Sequence, residues 1–403
     1  MIRPASRTAM KINPPKICIV TPEFPPARWG GLARTAHRVG QIAARSGYEV
    51  HVLHFMIQDG VHPLLDENRR TEPFSGTTLH TVEVGRERMP PEGRTIWDCP
   101  HALSFRMMFQ SLEKLVGAHD FSLLHSFFLY PMGYAAGLTA RRHGPPHLAT
   151  LLGNDVNKYF FSPEKAAFCR CGLENADRIV SMNRDMLLTA KALTRSCPDG
   201  EVVYNSVVIP EQSWRVRTLE SDEPFVLGFA GIFKYAKGLP YLIKAAKILS
   251  GLRPVKLSLV GEIRPGEREM FEHMLDREEA RSLVELRPPL RAEEMGDWFL
   301  SLDAFALSSV SEGCPNVLME AMAHGLPCAA TRVGAVEDLI EPEVSGLIVP
   351  PGDGEGLAKA LARIMRDPGL AANLGRAARE RMGLFSPERE AEAWSRIYRE
   401  MIG

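Results

Sequence analysis

In the stretch SEGCPNVLMEAMAHGLP, Glu312 and Glu320 are separated by seven residues and flank a Gly-Cys-Pro-Asn turn that leads into an apolar helix start. Glu320 has Leu318, Ala321, Met322 and Ala323 as neighbours, so its helix is expected to be largely buried. An unpaired carboxylate there is costly unless it accepts hydrogen bonds, and the hydroxyls of a polyhydroxylated ligand would supply the donors. The competing reading has Glu312 facing water and Glu320 favoured by the helix dipole. Two other segments carry residues suited to an anionic ligand. In GIFKYAKGLPYL, Lys237 precedes Gly238 at a strand-to-helix junction, which puts a point charge beside free amides, with Lys234 close by. In PEFPPARWGG, prolines stiffen a long approach to Gly30 and Gly31, a pair that serves equally well as a ligand loop or as a tight helix–strand turn.

The elements that must position these groups alternate. KICIV (16–20) and EVHVL (49–53) read as strands flanking a helix that has Leu32, Ala36, Val39 and Ala43 at helical spacing. FSLLH (121–125), HLATLL (147–152), DRIVSM (177–182) and EVVY (201–204) continue the series, and a parallel sheet follows. Residues 60–100, rich in Pro, Gly and charge, read as a long connection or lid. The polar stretch 210–224 reads as a linker, dividing the chain into domains 1–209 and 210–403. After it come FVLGFA (225–230), VKLSLVG (255–261), SLVEL (282–286), DAFAL (303–307), PCAAT (327–331) and GLIVP (346–350). The architecture expected is α/β, two doubly wound domains in tandem. A final helix at 386–402 carries Trp394, Ile397, Tyr398 and Met401 on one face and must pack on something, with the domain junction as a candidate.

With 403 residues the chain exceeds what one hydrophobic core usually serves. Its 48 Lys and Arg nearly cancel 49 Asp and Glu, which removes the broad basic footprint of nonspecific nucleic-acid binding. Seven scattered cysteines fit a reducing cytoplasmic compartment, and the Cys169/Cys171 pair lacks the second pair or histidines of a zinc site. The first fifteen residues lack a hydrophobic signal core and no apolar run approaches the ~18 residues of a membrane span, so a soluble chain with a frayed N-terminus is expected. In the segment 104–116, Phe105, Met108, Phe109, Leu112 and Leu115 read either as a core helix or as an interfacial helix meeting a lipid-linked acceptor at the membrane.

The run from Ser308 through SEGCPNVLMEAMAHGLPCAATRVGAVEDLIEPEVSGLIVPPGD resembles the donor-site signature of family 4 retaining glycosyltransferases, which have the GT-B fold of two Rossmann-like domains facing a central cleft. GIFKYAKGLPYLIKAA, PEFPPARWGGLARTAHRV, LLHSFF, LLGNDV and VVYNSV extend the resemblance over most of the chain. It implies that Glu312 contacts hydroxyls of a transferred sugar, that Glu320 accepts from ribose hydroxyls, and that Lys237 neutralises the diphosphate of a nucleotide sugar. It also implies that the turn Gly313-Cys314 and the amides of Asn316 and Val317 receive phosphate oxygens, and that the Gly30-Gly31 loop approaches the diphosphate. The acceptor, a glycan, a lipid-linked or a small molecule, would bind the first domain. Two positions depart from the family pattern: Ile232 stands where an arginine is usual, with Lys234 the nearest substitute, and Leu152 stands where a histidine is frequent. Asp155 then either orients the sugar or acceptor or caps the following helix.

No two aspartates are separated by a single residue, so the metal-holding Asp-x-Asp motif is missing, and no metal or other cofactor is expected. A nicotinamide-dependent dehydrogenase is disfavoured because no Gly-x-Gly-x-x-Gly turn follows the strands. An epimerase or glucan synthase of the same fold, and a sugar-nucleotide-binding subunit without activity, are also compatible with these motifs.

Overall fold

The aliphatic runs bounded by glycine and proline are strands in the computed structural model, which describes residues 13–27, 30–58, 69–85, 102–220 and 222–403. The first eight strands are β1 (Lys16–Thr21), β2 (Glu49–Gln58), β3 (Arg69–Phe74), β4 (Thr77–Gly85), β5 (Leu123–Phe127), β6 (His147–Leu151), β7 (Arg178–Ser181) and β8 (Gly200–Val202). They form one sheet in the order β3-β4-β2-β1-β5-β6-β7-β8. The second sheet has β9 (Phe225–Phe233), β10 (Val255–Ile263), β11 (Val284–Arg287), β12 (Ala304–Leu307), β13 (Cys328–Thr331) and β14 (Leu347–Val349), in the order β11-β10-β9-β12-β13-β14. Its registered pairs are all parallel. Strands buried on both faces explain why the sequence shows continuous apolar runs rather than alternation.

Strand order reverses between β1 and β5 in the first sheet and between β9 and β12 in the second. At such switch points the connections leave in opposite directions and open a crevice at the carboxyl ends of the strands. Gly30-Gly31 follow β1, Lys234 and Lys237 follow β9, and Glu312 follows β12, so each candidate lies at the switch point of its own sheet.

Part of the segment expected as a connection is sheet. Arg69–Phe74 and Thr77–Gly85 form an antiparallel pair, with β4 parallel to β2. Charge and proline in β3, an exposed edge strand, obscured β4, where Leu79 is buried on one face and His80, Val82 and Val84 in step on the other. The rest of that expectation, residues 59–68 and 86–101, lies outside the described residues, as do Trp29 and the first twelve positions. The segment 104–116 is a core helix: Met108, Leu112 and Leu115 are buried, and Phe105 and Phe109 pack against the same cluster.

The chain divides into two compact units, Met1–Thr150 with Ala167–Ile179 and Trp394–Gly403, and Leu151–Ala166 with Val180–Ala393. Residues 151–166 and 180–209, expected with the first domain, thus cluster with the second unit, and Trp394–Gly403 with the first. The described residues of 210–224 hold no strand or helix, yet they are fastened to the second unit. Trp214 donates its Nε1–H to the Leu302 carbonyl at 2.7 Å, and Arg217 grips Asp303 in two bonds of 2.8 and 2.6 Å. In the first unit Tyr398 and Trp394 of the final helix are fully buried, with the Tyr398 hydroxyl 2.9 Å from His125 Nδ1, whose other nitrogen meets Thr150 at 2.7 Å. Among the described residues, no helix is long and apolar enough to cross a membrane.

Candidate active site

β9 ends at Phe233 and the chain turns at once: the amide of Lys237 donates to the Lys234 carbonyl at 2.8 Å, and that of Gly238 to Tyr235 at 3.1 Å. Gly238 has φ 62° and ψ 31°, and a Cβ there would stand 2.0 Å from the Ser308 carbonyl oxygen, so both conformation and space demand glycine. The close approach lets Ser308 Oγ donate to the Lys237 carbonyl at 2.9 Å, and the amide of Val310 donates to Ala236 at 2.9 Å. The loops after β9 and β12 are thus sewn together across the switch point. The Lys237 stem lies over the end of β9, where a Cβ on Gly231 would meet its Cε at 3.5 Å.

That stitching brings the two sequence-predicted catalytic residues into contact. Lys237 Nζ donates to Glu312 Oε1 at 2.6 Å, with the two side chains only 16% and 13% exposed. Ser309, fully buried, donates its hydroxyl to the same oxygen at 2.6 Å. One carboxylate oxygen is therefore held by an ammonium and a hydroxyl. Sequence reasoning passed over Ser309 as a small residue after a strand. Its signal was the Ser-Ser pair at the end of β12, where an apolar pattern stops abruptly.

Lys234 is half-buried, and its pKa is lowered first by burial and then by the charges of Lys237, Arg264 and Lys158, with Glu312 opposing. Arg264 follows β10 one residue beyond Ile263, which pairs with Phe233, so register alone sets it beside Lys234. Lys158, Lys234, Lys237 and Arg264 share this end of the second unit with Glu312 and with Glu267, which accepts from the Tyr235 amide at 3.3 Å. Such an excess is stabilised by an anion. Lys158 and Arg264 are far from Lys237 in sequence, and only the fold reveals them.

Helix Asn316–Ala323 starts beside this cluster. Its N-cap is Pro315, which has no side-chain acceptor to offer, so the first amides, those of Asn316 and Val317, lack a side-chain cap. Asn205 donates to the Asn316 side chain at 2.8 Å. Cys314 is half-buried, its thiol 3.7 Å from Met319 Sδ. Glu320 is half-buried on a helix whose Leu318, Ala321, Met322 and Ala323 are buried, as expected, but it is already engaged within the protein. Burial alone therefore does not require a ligand at Glu320.

Asp155 is fully buried and accepts from the amides of Gly153 at 2.9 Å, Val156 at 3.1 Å and Leu152 at 3.2 Å. Burial raises its pKa to about 6 against those amides. Asp155 lies in the first turn of helix Asn154–Asn157, whose N-cap is Gly153 and has no side-chain cap, so the carboxylate is enclosed by its own turn. Gly30 and Gly31 open helix Gly31–Arg45 in the first unit, with no side-chain cap on that helix. Among the described residues, no group of three or more His, Cys, Asp or Glu could hold a metal.

Two doubly wound sheets in one chain, each with a switch point, are the architecture of the GT-B fold. Residues 30–206 match the "Glycosyl transferase 4-like domain" model and residues 210–381 match "Glycosyl transferases group 1". The chain belongs to the GT-B glycosyltransferases. A D-inositol 3-phosphate glycosyltransferase of Paenarthrobacter aurescens is 29% identical over 93% of this chain and 93% of its own length. N-acetyl-alpha-D-glucosaminyl L-malate synthase of Bacillus anthracis is 25% identical over 93% and 94%. Among solved structures, sucrose-phosphate synthase from Thermosynechococcus elongatus has a TM-score of 0.76 at 22% identity, covering 96% of this chain and 99% of that one. Anabaena HepE in complex with UDP-glucose has a TM-score of 0.72 at 16% identity, covering 96% and 99%.

Proposed function

We propose that the chain is a family 4 retaining glycosyltransferase that moves a sugar from a nucleoside-diphosphate sugar to an acceptor hydroxyl. The observation that carries this reading is the Lys237–Glu312 pair at the switch point, set among Lys234, Arg264 and Lys158 and beside the uncapped helix start. Departure of a nucleoside diphosphate leaves positive charge on the anomeric carbon and negative charge on the leaving oxygens. Glu312 faces the first and Lys237 the second. An ammonium has three N–H groups, so Lys237 can bind phosphate while it keeps Glu312 in place. In this reading the leaving phosphate takes the acceptor's proton, the new bond forms on the face the phosphate leaves, and no sugar–enzyme ester is required.

Uridine is the favoured nucleotide, with GDP-mannose the alternative; support comes from the similar fold that is solved with UDP-glucose. Residues 210–403 would hold the donor, and residues 1–209, including Gly30-Gly31, the acceptor side. Two relatives are named for inositol phosphate and malate, both small anionic alcohols, and these favour a small-molecule acceptor over a glycan or a lipid-linked one. Thermal shift of the full chain with UDP-, GDP- and ADP-sugars, followed by donor hydrolysis with malate or inositol phosphate added, tests the reading. It fails if no sugar nucleotide stabilises the protein or is turned over.

Glu320 is assigned to the ribose, which does not react. Glu320→Gln is expected to weaken binding of donor and of free nucleoside diphosphate alike, by roughly 1.5–3 kcal/mol, with turnover at saturation little changed. Calorimetry with UDP checks it, and parental affinity would remove Glu320 from the donor site.

Turnover is expected to persist in excess chelator. Lys237, Lys234 and the helix start supply the positive potential that an Asp-x-Asp-bound metal supplies elsewhere. Activity that disappears with chelator and returns with magnesium or manganese would overturn this.

A further inference from the structure

The loop that carries Glu312 is gripped by residues of the donor-site run and by one residue outside every motif, Asn183. The Gly313 carbonyl accepts from Asn183 Nδ2 at 2.8 Å and from the amide of Ala335 at 2.9 Å, so both its lone pairs are used. Gly313 itself is seated on Leu152: a Cβ there would stand 2.3 Å from the Leu152 carbonyl oxygen. All of these residues belong to the second compact unit.

Asn183 is 1% exposed and does two things with one planar group. Its Oδ1 accepts from the amide of Met186 at 2.7 Å, capping helix Arg184–Leu193. Its Nδ2 donates to Gly313. Its backbone carbonyl is held in turn by Ser181 Oγ at 2.8 Å. A cap alone needs only an acceptor, and Ser, Thr or Asp provides one as well as Asn does. A carboxamide offers an acceptor on one atom and a donor on another, which an ionised aspartate cannot do and a serine hydroxyl is too short to do across both partners.

We propose that Asn183 is a positioning residue for Glu312: by holding the Gly313 carbonyl it fixes the adjoining glutamate, so that one carboxylate oxygen stays on Ser309 and Lys237. Lys237 stands on the loop after β9 and does not follow if the segment shifts, while Ser309 is anchored three residues earlier, at the end of β12. Misplacement of about 1 Å at a reacting group costs on the order of 100-fold in rate. The inference rests on the transferase reading above for its catalytic consequence, but not for the contact itself.

Two full-length variants separate the clamp from the cap. Asn183→Asp keeps the acceptor for Met186 and points a second carboxylate oxygen at the Gly313 carbonyl; Asn183→Ser keeps a short cap and cannot reach. Asn183→Ser is expected to melt close to the parent, and Asn183→Asp to melt lower at high pH and to approach the parent as pH falls and the new carboxyl is protonated. Cys314, next to Gly313 and half-buried, should be alkylated by iodoacetamide roughly tenfold faster in both, as read by peptide mass spectrometry, while Cys171 reacts at the parental rate. Hydrolysis of the best donor among UDP-glucose, GDP-mannose and ADP-glucose should fall on the order of 100-fold in kcat with KM little changed. The introduced carboxyl in N183D is buried and takes up a proton as pH falls from about 8 to about 5.5, and its O–H then donates where Nδ2 did. The N183D-to-parent rate ratio should therefore rise over that range, with no such recovery for N183S. Parental Cys314 labelling in N183D, or a rate ratio flat with pH, would reduce Asn183 to a helix cap. A parent enzyme that hydrolyses none of the donors overturns the transferase reading instead, and the Cys314 rates still decide the clamp.

Discussion

Glu312→Gln is expected to lower kcat by about 10²–10³-fold, equivalent to about 3–4 kcal/mol of transition-state stabilisation, while free nucleoside diphosphate binds as tightly as to the parent or more tightly. The geometry makes this a clean test of charge. Glu312 Oε1 accepts from Lys237 and Ser309, both at 2.6 Å, and a glutamine carbonyl can accept from the same two donors. The side chain keeps its place, so what disappears is the negative charge that the proposed function sets against the anomeric carbon as it turns positive. Lys237 loses its ionic partner in the protein and offers its charge more fully to phosphate. Single-turnover rates with the best donor, set beside calorimetry with UDP, separate the two effects. Parental kcat would make the pair a structural salt bridge, and UDP affinity lost in step with rate would mean that Glu312 acts only by holding Lys237.

That pair was legible in the sequence as two candidate residues, but not as a contact. Glu312 and Lys237 drew notice by chemistry, one beside a Gly-Cys-Pro-Asn turn and one before a glycine at a βα junction. Their 2.6 Å contact depends on β9 and β12 being neighbours, and no local pattern states which strands adjoin. The strands themselves were readable because parallel sheets bury both faces and leave apolar runs; the β3–β4 pair was not, because an edge strand written with arginine, glutamate and proline looks like a loop. Ser309 and Asn183 were invisible for a different reason. Small polar residues are common in loops, and their weight here comes from full or near-full burial against one specific acceptor. Asp155 shows the converse. A carboxylate in a glycine turn invites a ligand, but the amides of Leu152, Gly153 and Val156 already enclose it.

The cation excess has the same origin. Lys158, Lys234, Lys237 and Arg264 look like ordinary surface charges when read along the chain, and a formal net charge of -1 conceals them entirely. Convergence at one switch point turns dispersed charge into a field, since each added cation raises the cost of the others until an anion arrives. Ile232 is 43% exposed and carries no charge, while Lys234 and Arg264 follow the paired ends of β9 and β10.

Removing Lys237 should be worse than removing Lys237 and the Glu312 charge together, as measured by stability. Lys237→Ala strips the ammonium from a carboxylate that is only 13% exposed and leaves it one hydroxyl donor, Ser309. Breaking a fully dry pair in this way costs about 3–5 kcal/mol; this site keeps some solvent, so about 1–3 kcal/mol is expected. Adding Glu312→Gln to Lys237→Ala removes the stranded charge and should return most of that loss, even though the double variant has fewer ionic contacts than the parent. Turnover follows the opposite logic. Both single variants lose a group that stabilises opposite charges of the same transition state, so the double variant is expected to be no more active than Lys237→Ala alone, with activity down by at least about 10²-fold. Denaturant melts of the four proteins, run as a double-mutant cycle beside donor hydrolysis, give both answers. A double variant less stable than Lys237→Ala would show that Glu312 is well solvated without its partner. In that case the 2.6 Å contact is a surface ion pair, and the case for a preorganised charge pair at the switch point fails.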